Sequence, residues 1–227
     1  MDDEPALRDI FARWLSRVGG GRVLTAADGK AALAVLGVEP VDLLITDVRM
    51  PVMDGVTLVR SLAKLAIRIP SIVFVSGFGE VDRKEMYGLG VEAFIPKPFD
   101  RKELLQVIEQ ALAQRSTLWL EPMAIAPRQS LAIEAREPGQ GAERESIRFG
   151  RGGFSAHSTG PLSLSKVSFR CSFPAQDLEM TGQGYVRWTS REAETVGIEF
   201  AFLDQPCRPW LLDKIELSAP RSFIPDI

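Results

Sequence analysis

The sequence predicts two domains: an α/β domain with a doubly wound parallel sheet, then a small antiparallel β-barrel with a C-terminal helix. The length of 227 residues is sufficient for two ordinary domains. In the first half, short apolar segments alternate with helical periods, which is typical of a parallel sheet covered on both faces. In the second half, apolar and polar residues alternate over short segments separated by turn residues, which is typical of an antiparallel sheet.

The elements follow one another at regular intervals. The strands of the first half share a short apolar run, and they are predicted over residues 23–26, 41–46, 71–75 and 91–95. Its helices share apolar residues at helical spacing, and they are predicted over residues 5–18, 29–36, 54–65 and 100–112. The second half shows strand alternation over residues 131–136, 147–149, 154–156, 167–173, 185–188 and 196–202, and a terminal helix is predicted over 209–217.

The composition excludes several classes of protein. With 45% hydrophobic and 25% charged residues, the chain is neither disordered nor a disulfide scaffold. No apolar run approaches the ~20 residues that span a bilayer, and no signal peptide opens the chain, so we expect a cytoplasmic protein without membrane insertion. Basic and acidic residues are balanced, at 15 against 16 in residues 1–115 and 12 against 14 in residues 116–227, so we expect no DNA binding.

Polar side chains follow three of the predicted strands. Asp47, Ser76 and Lys97 each lie at or just after the carboxyl end of a strand. In an open parallel sheet these ends form one edge, where ligands bind, so we expect the three side chains to lie close together. A carboxylate, a hydroxyl and an ammonium at one edge suit phosphoryl transfer onto Asp47.

Asp2 and Asp3 add acidic charge if the start of the first helix lies at the same edge. Three carboxylates repel one another unless a cation lies among them, and Mg2+ is the usual cation at oxygen sites beside phosphate. Each feature alone has a simpler interpretation, since acidic residues favour a helix start and Lys97 and Ser76 precede ordinary turn residues. Their occurrence together, in this order, favours a phosphoryl-transfer site over these simpler interpretations.

Four segments, MDDEPALRD, ITDVRMPVMDG, VSGFG and FIPKPF, resemble in order and spacing the motifs of two-component response-regulator receiver domains. The resemblance covers residues 1–115 and implies the flavodoxin-like fold of CheY-like domains. It implies that Asp47 is the phosphoacceptor. The Mg2+ ligands would be Asp2, Asp3, Asp47 and the backbone carbonyl of Arg49.

The same resemblance implies the remaining roles. Lys97 would contact the phosphoryl group, and Ser76 and Phe94 would be the switch residues that respond to it. Family behaviour implies that a histidine kinase or phosphotransfer protein supplies the phosphoryl group and that the domain has no other enzymatic activity. Phosphorylation would then change the face formed by the fourth helix, the last strand and the last helix.

One feature departs from the receiver pattern. Receiver domains begin with an apolar strand before the acidic pair, and here only Met1 precedes Asp2. In the family's strand order, 2-1-3-4-5, that strand would lie between residues 23–26 and 41–46. Without it these two segments cannot pair, and their backbone groups lack partners. We therefore expect that the native chain starts upstream or that this sequence is truncated at its N-terminus.

The second half resembles a PilZ domain, a small β-barrel that in many bacteria binds cyclic di-GMP. The resemblance rests on the turn FGRGGF, a strand of the VSFRCSFP type, the segment GYVRW, the segment GIEFAFLD and a closing helix. The residues that bind the nucleotide in other members match poorly. Ala132 stands four residues after Arg128, so the RxxxR motif is absent, and Arg148 and Gly150 occupy the acid and serine positions of the [D/N]xSxxG motif.

A dinucleotide with two phosphates needs that arginine pair for bidentate contacts, so cyclic di-GMP is disfavoured as a ligand. Arg148 and Arg151 stay weak candidates for binding an anion, and their simpler interpretation is solvated turn charges. We expect instead that this domain binds a protein target.

The sequence thus predicts a response regulator in which phosphorylation at Asp47 controls what a PilZ-like domain contacts. The predicted boundaries are a receiver domain over 1–115, a linker over 116–126, the PilZ-like domain over 127–217 and a tail over 218–227. Two alternatives stay open. The first is a cyclic di-GMP effector that integrates both signals, and the second, less favoured, is a DNA-binding transcriptional regulator.

Overall fold

The computed structural model describes residues 1–16, 21–65, 69–77, 81–113, 117–135, 146–158, 160, 162–192, 194–218 and 220–226. The chain divides into two compact units. The first contains Met1–Asp82 and Leu89–Leu112, and the second contains Arg83–Gly88 and Ala113–Ile227. In the described part of the chain, no helix is both long enough and apolar enough to cross a membrane.

Parallel strands and flanking helices form the first unit. The strands, in chain order, are β1 (Leu43–Asp47), β2 (Ser71–Ser76) and β3 (Val91–Pro96). The helices are α1 (Pro5–Leu15), α2 (Gly29–Leu36), α3 (Gly55–Leu62) and α5 (Arg101–Leu112), and α4 (Arg83–Leu89) lies between β2 and β3 along the chain. The sheet order is β1-β2-β3, all parallel, so the predicted parallel α/β arrangement is confirmed.

Aspartate side chains begin three of these helices. Asp28 accepts a hydrogen bond from the Ala31 N–H at 2.9 Å, and Asp54 accepts one from Thr57 at 2.6 Å. Asp100 caps α5 in the same way. Such caps satisfy N–H groups that have no partner inside the helix. These caps explain why α2, α3 and α5 begin directly after Asp28, Asp54 and Asp100.

The predicted strand over residues 23–26 is wrong, since residues 21–26 form no strand. Among the described residues no strand pairs with this segment, and a strand needs a paired neighbour. A cavity of about 360 Å³ lies between this segment and β1, and its lining includes Leu24, Leu44 and Ile108. The predicted first helix is confirmed over Pro5–Leu15, and residues 17 and 18 of the prediction lie outside the described residues.

The second unit contains a curled six-stranded sheet. Its strands are β4 (Gln129–Glu134), β5 (Ile147–Phe149), β6 (Gly153–His157), β7 (Lys166–Phe173), β8 (Leu178–Ser190) and β9 (Thr195–Leu203). The order is β4-β7-β8-β9-β6-β5. Curling brings distant strands together, because Phe154 of β6 lies 5.1 Å from Phe169 of β7 and Phe149 of β5 lies 6.0 Å from Phe173 of β7, between ring centroids.

The predicted antiparallel barrel is wrong in one respect: β4 pairs with β7 in parallel, which makes the sheet mixed. Since β5 and β6 intervene along the chain, β4 and β7 are not joined by a hairpin, and a long connection permits parallel pairing. The predicted C-terminal helix is confirmed as α6 (Arg208–Ser218). Its Trp210 packs 5.0 Å from the ring of Phe173.

Candidate functional site

Three acidic residues of the first unit lie together at the carboxyl edge of its sheet. Carboxylate oxygens of Asp2, Asp3 and Asp47 lie within 4.8 Å of one another. The Met1 nitrogen donates to the Ile45 carbonyl at 2.7 Å, and the Met1 carbonyl accepts from the Asp47 N–H at 3.0 Å. These two bonds follow the pattern of a parallel ladder, so the chain places Asp2 directly beside the end of β1.

Asp47, the last residue of β1, is held by its neighbours on both sides. The Thr46 hydroxyl donates to the Asp47 carbonyl at 2.7 Å, and the Arg49 N–H donates to Asp47 Oδ1 at 3.1 Å. A side chain at Gly55 would place its Cβ 2.2 Å from the Asp47 carbonyl oxygen, so only glycine fits there. The backbone of Asp47 is therefore fixed, while its side chain stays 13% exposed.

Lys97 joins two of the carboxylates. Its ammonium donates to Asp2 Oδ2 at 3.1 Å and also bonds Asp47 Oδ2. Burial opposes the charged form of this lysine, but the hydrogen bonds and charges of Asp47 and Asp2 outweigh burial and raise the pKa of Lys97 above its usual value. The Lys97 N–H also donates to the Ser76 carbonyl at 2.8 Å, which continues the pairing of β2 with β3.

The charge of this cluster suits a divalent cation. The three carboxylates outnumber the Lys97 ammonium and the Arg8 guanidinium, which donates to the Asp2 and Asp3 carbonyls. Asp2 is only 1% exposed. Carboxylate oxygens are the ligands that Mg2+ prefers, usually with several waters. Because Asp3 is exposed, water reaches one side of the cluster. The donor set of Asp2, Asp3 and Asp47 therefore fits Mg2+.

Ser76 and Phe94 lie on the two strands beyond β1. Ser76 ends β2, next to the Val75 that pairs with Asp47, and its hydroxyl donates to the Gly77 carbonyl at 3.1 Å. Phe94 is half-buried on β3 and packs edge-on against Phe74, with ring centroids 5.8 Å apart. The structure thus brings Asp2, Asp3, Asp47 and Lys97 into one cluster. The switch roles of Ser76 and Phe94 stay predictions.

The two arginines suggested as anion ligands lie in the second unit and contact its C-terminal segment, residues 221–226. Arg148 Nη1 donates to the Asp226 carbonyl at 3.1 Å, and Arg151 Nε donates to the Arg221 carbonyl at 3.2 Å. This contact could not be predicted from the sequence, since the segment has no regular hydrophobic period. Its apolar Phe-Ile-Pro run after polar residues is the only local signal for it.

Comparisons with known proteins agree with the motifs of the first unit. The model of the response regulator receiver domain family matches residues 1–109. Transcriptional regulatory protein CpxR of Klebsiella pneumoniae subsp. pneumoniae (strain HS11286) is 30% identical over 182 residues, which are 80% of this chain and 66% of CpxR. Transcriptional regulatory protein GlrR of Escherichia coli (strain K12) is 34% identical over 141 residues, which are 60% of this chain and 31% of GlrR.

The chain thus spans about a third to two thirds of the length of these curated relatives. Among solved structures, the receiver domain of NtrX from Brucella abortus is 32% identical, with a TM-score of 0.44, and the match covers 49% of this chain and 93% of that domain. The sequence motifs, the parallel sheet and the family match all concern the same part of the molecule. Residues 1–109 of the chain belong to the response regulator receiver domain family.

Proposed function

We propose that the protein is a two-component response regulator whose Asp47 accepts a phosphoryl group from a histidine kinase or phosphotransfer protein. The observation that carries this proposal is the cluster of Asp2, Asp3, Asp47 and Lys97 at the carboxyl edge of the parallel sheet. Asp47 combines a fixed backbone with a side chain that solvent reaches. Such a group is suited to act as a nucleophile on an incoming phosphoryl group.

In the proposed reaction, a carboxylate oxygen of Asp47 attacks the phosphorus of a phosphohistidine. The new bond is O–P, the bond that breaks is N–P, and the leaving imidazole takes up a proton from solvent. Lys97 positions the carboxylate before attack and then neutralises charge on the phosphoryl oxygens. A Mg2+ held by Asp2, Asp3, Asp47 and the Arg49 carbonyl would supply further positive charge to those oxygens. Catalysis of this type is positioning and charge neutralisation.

The response to phosphorylation is proposed to pass through Ser76 and Phe94. A phosphoryl group on Asp47 adds strong acceptor oxygens beside the end of β2, where Ser76 follows the Val75 that pairs with Asp47. Phe94 lies on the next strand and is half-buried against Phe74. A shift of Ser76 at the end of β2 is proposed to change the packing of Phe94 against Phe74, so that phosphorylation would bias a two-state element.

The second unit is proposed to be a PilZ-like output domain that acts by binding a protein. A curled sheet closed by a C-terminal helix and the turn FGRGGF support the PilZ-like interpretation. Cyclic di-GMP is disfavoured as its ligand, because Arg148 and Arg151 contact the chain's own C-terminal segment. A second candidate is transcriptional regulation, favoured by the names of the relatives CpxR and GlrR, although the acidic second half disfavours DNA.

The test is phosphorylation of the full chain by a small phosphodonor in the presence of Mg2+, followed by intact mass. We expect the wild type to gain one phosphoryl group and Asp47→Asn to gain none. The exposed Asp9→Asn, on α1, is the matched control and should behave as the wild type. Retention of full phosphorylation in Asp47→Asn would disprove the assignment. Binding of duplex DNA that weakens steeply with salt would favour the second candidate.

A further inference from the structure

The C-terminal segment, residues 221–226, contacts the glycine-rich turn of residues 150–153. The N–H groups of Arg151 and Gly152 donate to the carbonyls of Ser222 and Phe223, at 2.9 and 3.0 Å. Arg151 of the turn and Arg148 of the neighbouring β5 also donate to carbonyls of the segment. The segment therefore occupies backbone donors and cationic side chains that the turn would otherwise offer to another partner.

Two glycines of the turn make this approach possible. A Cβ at Gly152 would lie 1.9 Å from the ring of Phe223, and one at Gly150 would lie 2.4 Å from the Phe223 carbonyl oxygen. Both distances are far below any real contact, so side chains at these positions would exclude the segment. The glycines of the turn thus fit the segment itself.

The other side of the segment binds α4. The Phe223 N–H donates to the Tyr87 carbonyl at 2.9 Å, and the two rings stack with centroids 6.1 Å apart. Lys84 forms an ion pair with Asp226 at 2.9 Å. Ile224 is fully buried. All these contacts lie within the second unit, to which Arg83–Gly88 belong.

We infer that the C-terminal segment is an intrachain ligand that links α4 to the glycine-rich turn. The position of α4 then determines whether the segment covers the turn. Along the chain, α4 directly follows the loop after Ser76 and precedes β3. The link to phosphorylation rests on the proposed function. Movement of α4 would withdraw Tyr87 and Lys84 from the segment, release Phe223, and expose the turn to a protein partner.

The test is hydrogen exchange on the full chain, read at the amides of Arg151 and Gly152. Lys84→Glu places a negative charge beside Asp226, and it also removes the Lys84 ammonium from the face of the Trp188 ring. We expect both turn amides to exchange about tenfold faster or more in this variant, since like charges in contact are destabilising. Lys102→Glu, an exposed position on α5, is the control and should leave them unchanged. Unchanged turn amides in Lys84→Glu would overturn the link.

A second variant tests the connection between α4 and the turn by a substitution in the C-terminal segment itself. Phe223→Leu keeps an apolar side chain, so the chain should fold, but it loses the stacked ring. Exchange should rise at the turn amides and in α4 together, whereas Leu217→Ala, an exposed residue of α6, should change neither. A rise at the turn without a rise in α4 would contradict an intrachain ligand that bridges the two.

Phosphorylation supplies the last comparison. If the mass shows a phosphoryl group, exchange at the turn should rise in the wild type and stay constant in Asp47→Asn. A phosphorylated chain with an unchanged turn would overturn the link while leaving the proposed function intact. Failure to accept phosphate would instead count against the proposed function, and the Lys84→Glu and Phe223→Leu results would still decide whether the segment bridges α4 and the turn.

Discussion

Gly55→Ala perturbs the backbone of Asp47, the proposed phosphoacceptor, without touching any charged group. The added Cβ would lie 2.2 Å from the Asp47 carbonyl oxygen and 3.0 Å from Thr46 Oγ1. Ordinary contact is about 3.5 Å, so the backbone of β1 or the start of α3 must move by roughly 1 Å. The clashing atom belongs to the backbone of Asp47, and no side-chain rotation can relieve it.

The magnitude follows from two opposing effects. Overpacking of this kind destabilises by about 1–3 kcal/mol, and the better helix propensity of alanine returns at most about 1 kcal/mol. We therefore expect a net loss of about 1–2 kcal/mol, measured as a lower urea midpoint by circular dichroism. The phosphorylation rate should fall by up to about a hundredfold, since a displacement of about 1 Å at a reacting group can have that effect.

Gly88→Ala is the matched control. It is the same substitution in a helix, and a Cβ at Gly88 would meet no atom within 4 Å. Only the propensity gain of about 0.5–1 kcal/mol then remains, so this variant should be as stable as the wild type or more so. If Gly55→Ala matches Gly88→Ala in urea midpoint and is phosphorylated at the wild-type rate, the close approach of Gly55 to Asp47 has no role in the site.

Three further outcomes are expected. Lys97→Met should abolish rapid phosphorylation while Asp47 keeps its place, because the ammonium that neutralises the carboxylates is gone; phosphorylation at the wild-type rate would contradict this. Removal of divalent cations by a chelator should stop phosphorylation, and added Mg2+ should restore it; a chelated sample that still reacts would exclude a cation role. Burial raises the pKa of Tyr87 from 10.0 to about 12, so the folded state holds this proton more tightly than the unfolded state. Its contribution, about 2–3 kcal/mol, is present below pH 10 and lost as pH rises toward about 12. Tyr87→Phe should flatten the alkaline fall in stability, and an unchanged fall in this variant would contradict the prediction.

Apolar runs, and the polar residues that follow them, made most of the first unit predictable from the sequence. Apolar runs over 41–46, 71–75 and 91–95 become β1, β2 and β3, because fully buried parallel strands need little besides apolar side chains. The cluster of Asp47 and Lys97 follows from the same topology. The segment 23–26 has the same local pattern and forms no strand. Strand formation requires a neighbour as well as a propensity.

The second unit was harder to predict because its pairings are not local. Alternation located its strands, but it carries no information on which strands pair. The parallel pairing of β4 with β7 is therefore invisible in the sequence. The ion pair of Arg187 with Glu199 was missed for the same reason: Arg187 lies at a bulge of β8 between Val186 and Trp188, and a bulge changes which face a side chain occupies.

The glycine-rich turn illustrates what a motif can and cannot specify. Glycines in a loop indicate that some group approaches the backbone closely, and arginines beside them favour an anion. In this chain the approaching group at Gly152 is the ring of Phe223, and the arginines donate to neutral carbonyls. The motif predicts a close contact but not the chemistry of the contacting group. That chemistry depends on residues about 70 positions further along the chain. For this reason a turn that resembles a nucleotide-binding site can contact a segment of its own chain instead.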